Sequence, residues 1–202
     1  VLDSVMNANI AHNQQLRYLI QEYHDGLLFY EVSKREVWDV AASDSTGLEK
    51  WYKQHKKQYA WKEPRFKGFV YHTKDAHLAK PAAKMLKGCA GDAAYGEWRS
   101  KLKQQFNKDS VMVNVSGPYL CTKGENAYID AYAFKAGEAP ASPKGYVVSG
   151  VSGKVLKQPK SYLDVKAQVV SDYQTELEKQ WVDSLRKKFT FSVNENVVKS
   201  ME

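Results

Sequence analysis

Five histidines and two cysteines are the side chains best suited to acid–base, nucleophilic or metal chemistry in this sequence. His12, His24, His55 and His77 form no HxxxH or related ligand spacing, and Cys89 and Cys121 have neither metal-ligand spacing nor a CxxC motif. No Cys/His or Ser/His arrangement stands out, so nucleophilic catalysis has no signature here. His72 stands at the end of an apolar run beside Thr73, a setting in which a polar histidine serves as an ordinary turn residue. Cys121, among strand-forming residues, reads as a small buried hydrophobe. One disulfide and two unpaired buried thiols are both compatible with the cysteine count. Neither a metal nor a cofactor is expected.

The aromatic residues offer a different chemistry. Thirteen tyrosines and five tryptophans are amphipathic side chains able to contact extended apolar peptides while tolerating water. Trp51, Tyr59 and Trp61 are interleaved with Lys50, Lys53, Lys56, Lys57 and Lys62, which predicts that they are partly exposed and form a surface for polypeptide. Trp181 sits in the middle of an apolar stripe and is predicted to be core.

Charge is uneven. The net charge is +7, and between Asp44 and Asp109 there are 15 Lys and Arg against 7 Asp and Glu, a surplus of 8. A basic surface suits nucleic acid, anionic lipid or acidic polypeptide. A solvated lysine-rich face explains the same run more simply, and no RNA- or DNA-binding motif accompanies it. Hydrophobic content of 43% and charged content of 26% are those of a globular chain long enough to build its own core. No apolar run approaches the roughly 18 residues of a spanning helix, so no membrane span is expected. The chain begins at Val1 and reads as a mature or trimmed fragment, with any targeting segment expected upstream.

The elements that must position these residues follow from periodicity. Ile10, Leu16, Leu19, Ile20, Tyr23, Leu27, Tyr30 and Val37 recur at three- and four-residue steps, predicting one long amphipathic helix from Val5 to Trp38 with Gly26 as a place for a kink. Asp44 or Ser45 can cap a second helix through Leu48, Trp51, Tyr52 and Tyr59, and Pro64 ends helical geometry. Phe66 to Tyr71 then reads as a buried strand. Thr73 or Asp75 caps a helix through Leu78, Ala82, Met85 and Leu86 that stops at Gly88, with Pro81 inside it able to split or delay it. A further helix from about Asp92 carries Tyr95, Trp98, Leu102 and Phe106. A strand over Val111–Val115 and two more strand-like pieces follow, the segment closing with Ala131–Pro140 and Gly145–Val148. Gly137–Pro143 is a loop, and Gly150–Gly153 a turn-rich boundary. Ser161 to Asp164 is a capping-box-like start for a helix bearing Val165, Val169, Tyr173, Leu177, Trp181, Leu185 and Phe189 at steps of four. Such a stripe needs a broad apolar partner, and the N-terminal helix is the expected one. Thr190–Val193 alternates like a short strand.

The fold class is therefore α+β: a small sheet backed by helices, inserted between long helices that pack on one another. The divisions expected are 1–63 for a helical arm, 64–152 for the sheet body, and 153–202 for a C-terminal helix returning to the arm.

The order of strand, helices and strands, ending in Ala133-Phe134-Lys135, Gly137-Glu138 and Gly145-Tyr146-Val147-Val148, resembles a parvulin-type peptidyl-prolyl isomerase domain. The stretch Leu16–Val32 with Glu36-Val37-Trp38 resembles the region after the rotamase domains in SurA-like periplasmic foldases of Bacteroidetes, and Asp172–Phe189 resembles their final helix. The resemblance implies a periplasmic chaperone module that holds unfolded outer-membrane protein clients, joined to parvulin-like domains. It also implies where catalytic groups belong. Aligning Arg65 with the start of the usual R-x-x-H puts Gly68 at the first histidine, and aligning Gly145-Tyr146 with the usual GYH puts Val147 at the second. Isomerisation needs only a pocket that stabilises a twisted X-Pro amide against a barrier of about 18–20 kcal/mol, yet both histidines are missing. The expectation is a folding chaperone with a catalytically degenerate parvulin-like domain, client contacts at Trp51, Tyr59 and Trp61, and no catalytic residue. The alternatives are an active isomerase using His72 as a relocated histidine and a basic nucleic-acid-binding module.

Overall fold

The computed structural model describes residues 13–89, 96–190 and 192–199. The chain divides into two compact units, Val1–Gln54 with Ala167–Glu202, and His55–Lys166.

In the sheet unit, strand β1 (Arg65–Thr73) lies between β2 (Val113–Cys121) and β3 (Val148–Leu156), antiparallel to both, in the order β2-β1-β3. A central strand must bury both faces, which explains its nearly unbroken apolar run. One face of β1 carries Phe69 and Tyr71 into a core with Ala82, Leu86, Cys89, Trp98, Leu102 and Val113. This core is built by helix α4 (Ala76–Gly88) and helix α5 (Trp98–Gln105). The other face carries Phe66 and Val70 into a second core with Cys121 and Ile129. Ile129 comes from helix α6 (Ala127–Ile129), which widens into a π turn over Asp130–Phe134.

Several local expectations hold for the reasons given. Asp75 accepts from the His77 amide at 2.8 Å and starts α4. The capping box is formed by Ser161 and Asp164. Asp164 is also held in the fold from farther away, because the largely covered Lys67 of β1 reaches it at 2.6 Å.

Others are corrected. Pro81 lies inside α4, which runs through it unbroken; only the His77 carbonyl loses its helical donor, on an exposed turn. The second strand begins at Val113 and runs to Cys121, beyond the expected Val115. Ala131–Phe134 is helical rather than extended. Gly150–Gly153 is interior to β3, where the glycines allow close approach to β1 rather than a turn. The division expected there accordingly falls after Lys166, and the one expected at Pro64 falls after Gln54. Asp92 and Tyr95 lie outside the described residues.

The helical unit contains α1 (Gln14–Ser33), a π turn (Lys34–Trp38), α2 (Asp39–Ser43), α3 (Ser45–His55), α7 (Lys166–Lys188) and α8 (Glu195–Lys199). Gly26 produces no break; the irregularity comes later, at the π turn. Asp44 starts α3 by accepting from the Gly47 amide at 2.8 Å. The same carboxylate accepts from the Tyr173 hydroxyl at 2.7 Å, and the Trp51 and Tyr173 rings lie 6.0 Å apart. The C-terminal helix therefore meets the N-terminal segment through α3.

The expected seam between α7 and α1 is not formed. Leu19, Ile20, Tyr23, Leu27 and Tyr30 of α1 are exposed. Trp181 and Leu177 are half-buried rather than core, and Phe189 is exposed. The physical reason is the strict four-residue step of α7, which winds the stripe around the helix, so that Val169 is buried while the later members are only partly covered or exposed. Thr190, Ser192 and Val193 form no strand; Ile10 and Phe191 lie outside the described residues.

Candidate functional site

The second face of the sheet is where the resemblance places isomerase chemistry, and its residues can be followed along β1 at every second position: Phe66, Gly68, Val70 and His72. Opposite them on β3 stand Val155, Gly153, Val151 and Ser149.

Gly68 and Gly153 are directly paired. A Cβ on Gly68 would collide with the Ser152 carbonyl oxygen and stand 2.6 Å from Gly153 Cα and 2.8 Å from Phe66 Cζ. A Cβ on Gly153 would likewise meet Phe66 Cζ at 2.7 Å. The Phe66 ring thus covers the paired glycines, supplying the apolar surface that two missing side chains leave open. A side chain at position 68 has no room, because the obstacle is backbone. Val147, at the other expected histidine position, is exposed, and its amide donates to the Thr73 carbonyl at 2.9 Å.

His72 is not a turn residue. It lies inside β1 and is buried. Its Nδ1 is 2.7 Å from Ser149 Oγ, which is 2.8 Å from Ser142 Oγ. The ring meets Tyr128 edge-on at 5.0 Å and Tyr146 at 6.0 Å, and Tyr128 donates to the Ala141 carbonyl at 2.7 Å. Burial holds the imidazole below its ordinary pKa, so it is neutral at pH 7. The cluster ties β1, β3 and the 135–147 loop together. The Ser149 and Ser142 hydroxyls are the feature that sequence reading missed, since only strand pairing brings residues 77 apart into contact.

Cys121 is buried and unbonded, and burial, followed by the nearby carboxylates of Glu125 and Asp130, raises its thiol pKa. It therefore stays protonated and is a packing residue. Cys89 is also free, so the two thiols form no disulfide. His24 pairs with Asp25 in an exposed contact at 3.2 Å, and no metal-competent group of His, Cys, Asp and Glu occurs among the described residues. His12 lies outside them.

The three aromatic residues expected to contact polypeptide do not form one exposed patch. Tyr59 is buried at 4% exposure, because the 3-10 turn Lys56–Tyr59 folds it inward while the lysines stay in water. Trp61 is half-buried beneath the Arg65 guanidinium, 5.1 Å from its ring, and its backbone is bracketed by the Gln158 side chain at 3.0 and 3.3 Å. Trp51 is half-buried against Tyr173 and belongs to the other unit. The large exposed apolar surface lies elsewhere, on α1: Tyr18, Leu19, Ile20, Tyr23, Leu27, Leu28, Phe29, Tyr30 and Val32 are all at least 42% exposed. The periodicity predicts a one-sided amphipathic helix packed into a core, whereas α1 is apolar on more than one side and these residues are uncovered.

No helix among the described residues is long and apolar enough to cross a membrane. Compared with known proteins, the chain matches no family model, no curated protein and no solved structure.

Proposed function

We propose that this chain is the client-holding part of a periplasmic folding chaperone of the SurA-like kind, and that its sheet unit is a parvulin-like body without isomerase activity. The observation that carries the holding function is α1, whose exposed aromatic and aliphatic side chains form the sort of surface that marks an interaction site rather than a finished monomer surface. Extended apolar segments of unfolded outer-membrane proteins have the matching chemistry. The element order of the sheet unit supports the parvulin-like reading, and the Phe66 ring over Gly68 and Gly153 supports the loss of catalysis.

Two measurements test the halves separately. The chain suppresses aggregation of a urea-unfolded outer-membrane β-barrel protein on dilution, and Phe29→Asp with Leu28→Asp weakens that suppression; no suppression by the wild-type chain sinks the chaperone reading. A protease-coupled assay on an X-Pro peptide gives the uncatalysed rate. Turnover above background that His72→Ala abolishes would instead establish the relocated-histidine isomerase, the reading favoured by the position of His72 on the same strand face as Gly68.

A further inference from the structure

Helix α1 carries two apolar surfaces, and one has a period of its own. Leu16, Ile20, Tyr23, Leu27 and Tyr30 follow one another at steps of four, three, four and three. That 3.5-residue repeat keeps a seam in line along a straight partner helix, whereas the unbroken steps of four on α7 do not. The seam runs from Leu16 to Tyr30, about 21 Å of helix. Ile20, Tyr23, Leu27 and Tyr30 are all exposed along it. Tyr18, Leu28, Phe29 and Val32 lie on the far side of the same helix.

The flanks of the seam restrict what can occupy it. On one flank stand Arg17, His24 and Glu31, seven residues apart, and on the other Leu19, Gly26 and Ser33. When two copies of this helix run antiparallel around a twofold axis between Tyr23 and Leu27, the central core layers are filled, and Leu16 lies at the edge of the seam opposite Lys34. Ile20 of one copy faces Tyr30 of the other, and Tyr23 faces Leu27. In that same register the charged flank pairs Arg17 of each copy with Glu31 of the other, and His24 lies beside the axis. The second flank brings Gly26 opposite Gly26, where the absence of a side chain permits close approach of the two backbones. One register thus satisfies the apolar layers, the charges and the small residue together, and a self-complementary patch is the signature of a twofold interface. Glu31 also accepts from Arg35 of its own helix at 2.6 Å, an exposed pair of little strength and so no bar to a second partner.

We propose that α1 pairs with α1 of a second copy of this chain as an antiparallel helix pair through Leu16, Ile20, Tyr23, Leu27 and Tyr30, leaving Tyr18, Leu28, Phe29 and Val32 outside the seam. Tyr23 and Tyr30 are 68% and 52% exposed, so at about 150–250 Å² for a whole aromatic side chain they add roughly 180–300 Å² per copy, and the seam stays below the roughly 800 Å² per partner of tight interfaces, as befits a pair that forms at micromolar concentration.

Sedimentation equilibrium of the full chain tests this directly. Wild type is expected to reach a dimer at micromolar concentration, and Tyr23→Asp to remain a monomer with unchanged circular dichroism. Arg17→Glu is expected to raise the dimer dissociation constant about tenfold, since two like-charge pairs replace two opposite ones, and adding Glu31→Arg is expected to restore it. A short bismaleimide joins two copies of His24→Cys but not two copies of Arg17→Cys, because only residues beside the axis meet themselves. A wild-type chain that stays monomeric at high concentration overturns the proposal, as does a dimer that survives Tyr23→Asp or links equally through Arg17→Cys. A monomer that still suppresses client aggregation refutes the pairing alone and leaves the holding function standing.

Discussion

The two units treat their apolar residues in opposite ways. In the sheet unit the central strand is covered on both faces, by α4 and α5 on one side and by α6 with its π turn on the other. In the helical unit the buried hydrophobic residues among those described are few, Val37, Ala41, Leu48, Tyr52 and Val169, while α1 leaves most of its apolar residues in water. The contrast separates two roles that composition alone confuses. An apolar residue on β1 stabilises the fold, and one on α1 is available for something outside it.

The largest expected effect lies on the sheet. Phe66→Ala removes a ring that is fully buried and that covers two glycines, which have no side chains of their own to fill the space. A loss of about 3–5 kcal/mol is expected, measured as a shift of the urea midpoint followed by tryptophan fluorescence. If it falls below about 1 kcal/mol, the glycine pair is not covered as described.

A middle-sized effect tests the junction within the helical unit. Tyr173→Phe removes the hydroxyl that binds Asp44 and is expected to cost about 1 kcal/mol. The pH dependence has a definite sign. The Gly47 amide, then the Tyr173 hydroxyl, hold the Asp44 carboxyl below its ordinary pKa. A depressed carboxylate stabilises the fold above its unfolded value of about 3.9 and loses that contribution as the pH falls through the folded value. Burial, then the bond to Asp44, pushes the Tyr173 phenol up to about 12. Its contribution is present below the unfolded value of about 10 and is lost as the pH rises through 12. Acid and alkaline unfolding curves of Tyr173→Phe should therefore be flatter at both ends than those of wild type.

The smallest effect is the sharpest comparison. Leu28→Ala on α1 deletes a residue of similar size to the core leucines, yet it is 53% exposed. A change within about 0.5 kcal/mol is expected by urea denaturation; a loss near that of a core leucine would show that α1 is buried in the folded chain.

Much of this was legible in the residues themselves. The α+β class, the caps at Asp75 and Asp44, the capping box at Ser161 and Asp164, and the strand at Phe66 to Tyr71 follow from spacing and from hydrogen-bonding groups close in the chain. Errors gathered where two segments must choose each other. Gly150–Gly153 looked like a turn, but glycine is equally the residue that lets two backbones approach. Tyr59 looked exposed because its neighbours are lysines, but a 3-10 turn points one side chain inward among them.

The sequence alone determined that no histidine stands at positions 68 or 147, and that α1 carries apolar residues at helical spacing. Only the tertiary structure decided that position 68 has no space for a side chain, that His72 joins Ser149 in the interior, and that the helix expected to share a core is left exposed. Periodicity reports which residues seek burial, through forces that carry no address. Which partner they obtain depends on strand register and on the geometry of helix faces, and these exist only once distant segments are in contact.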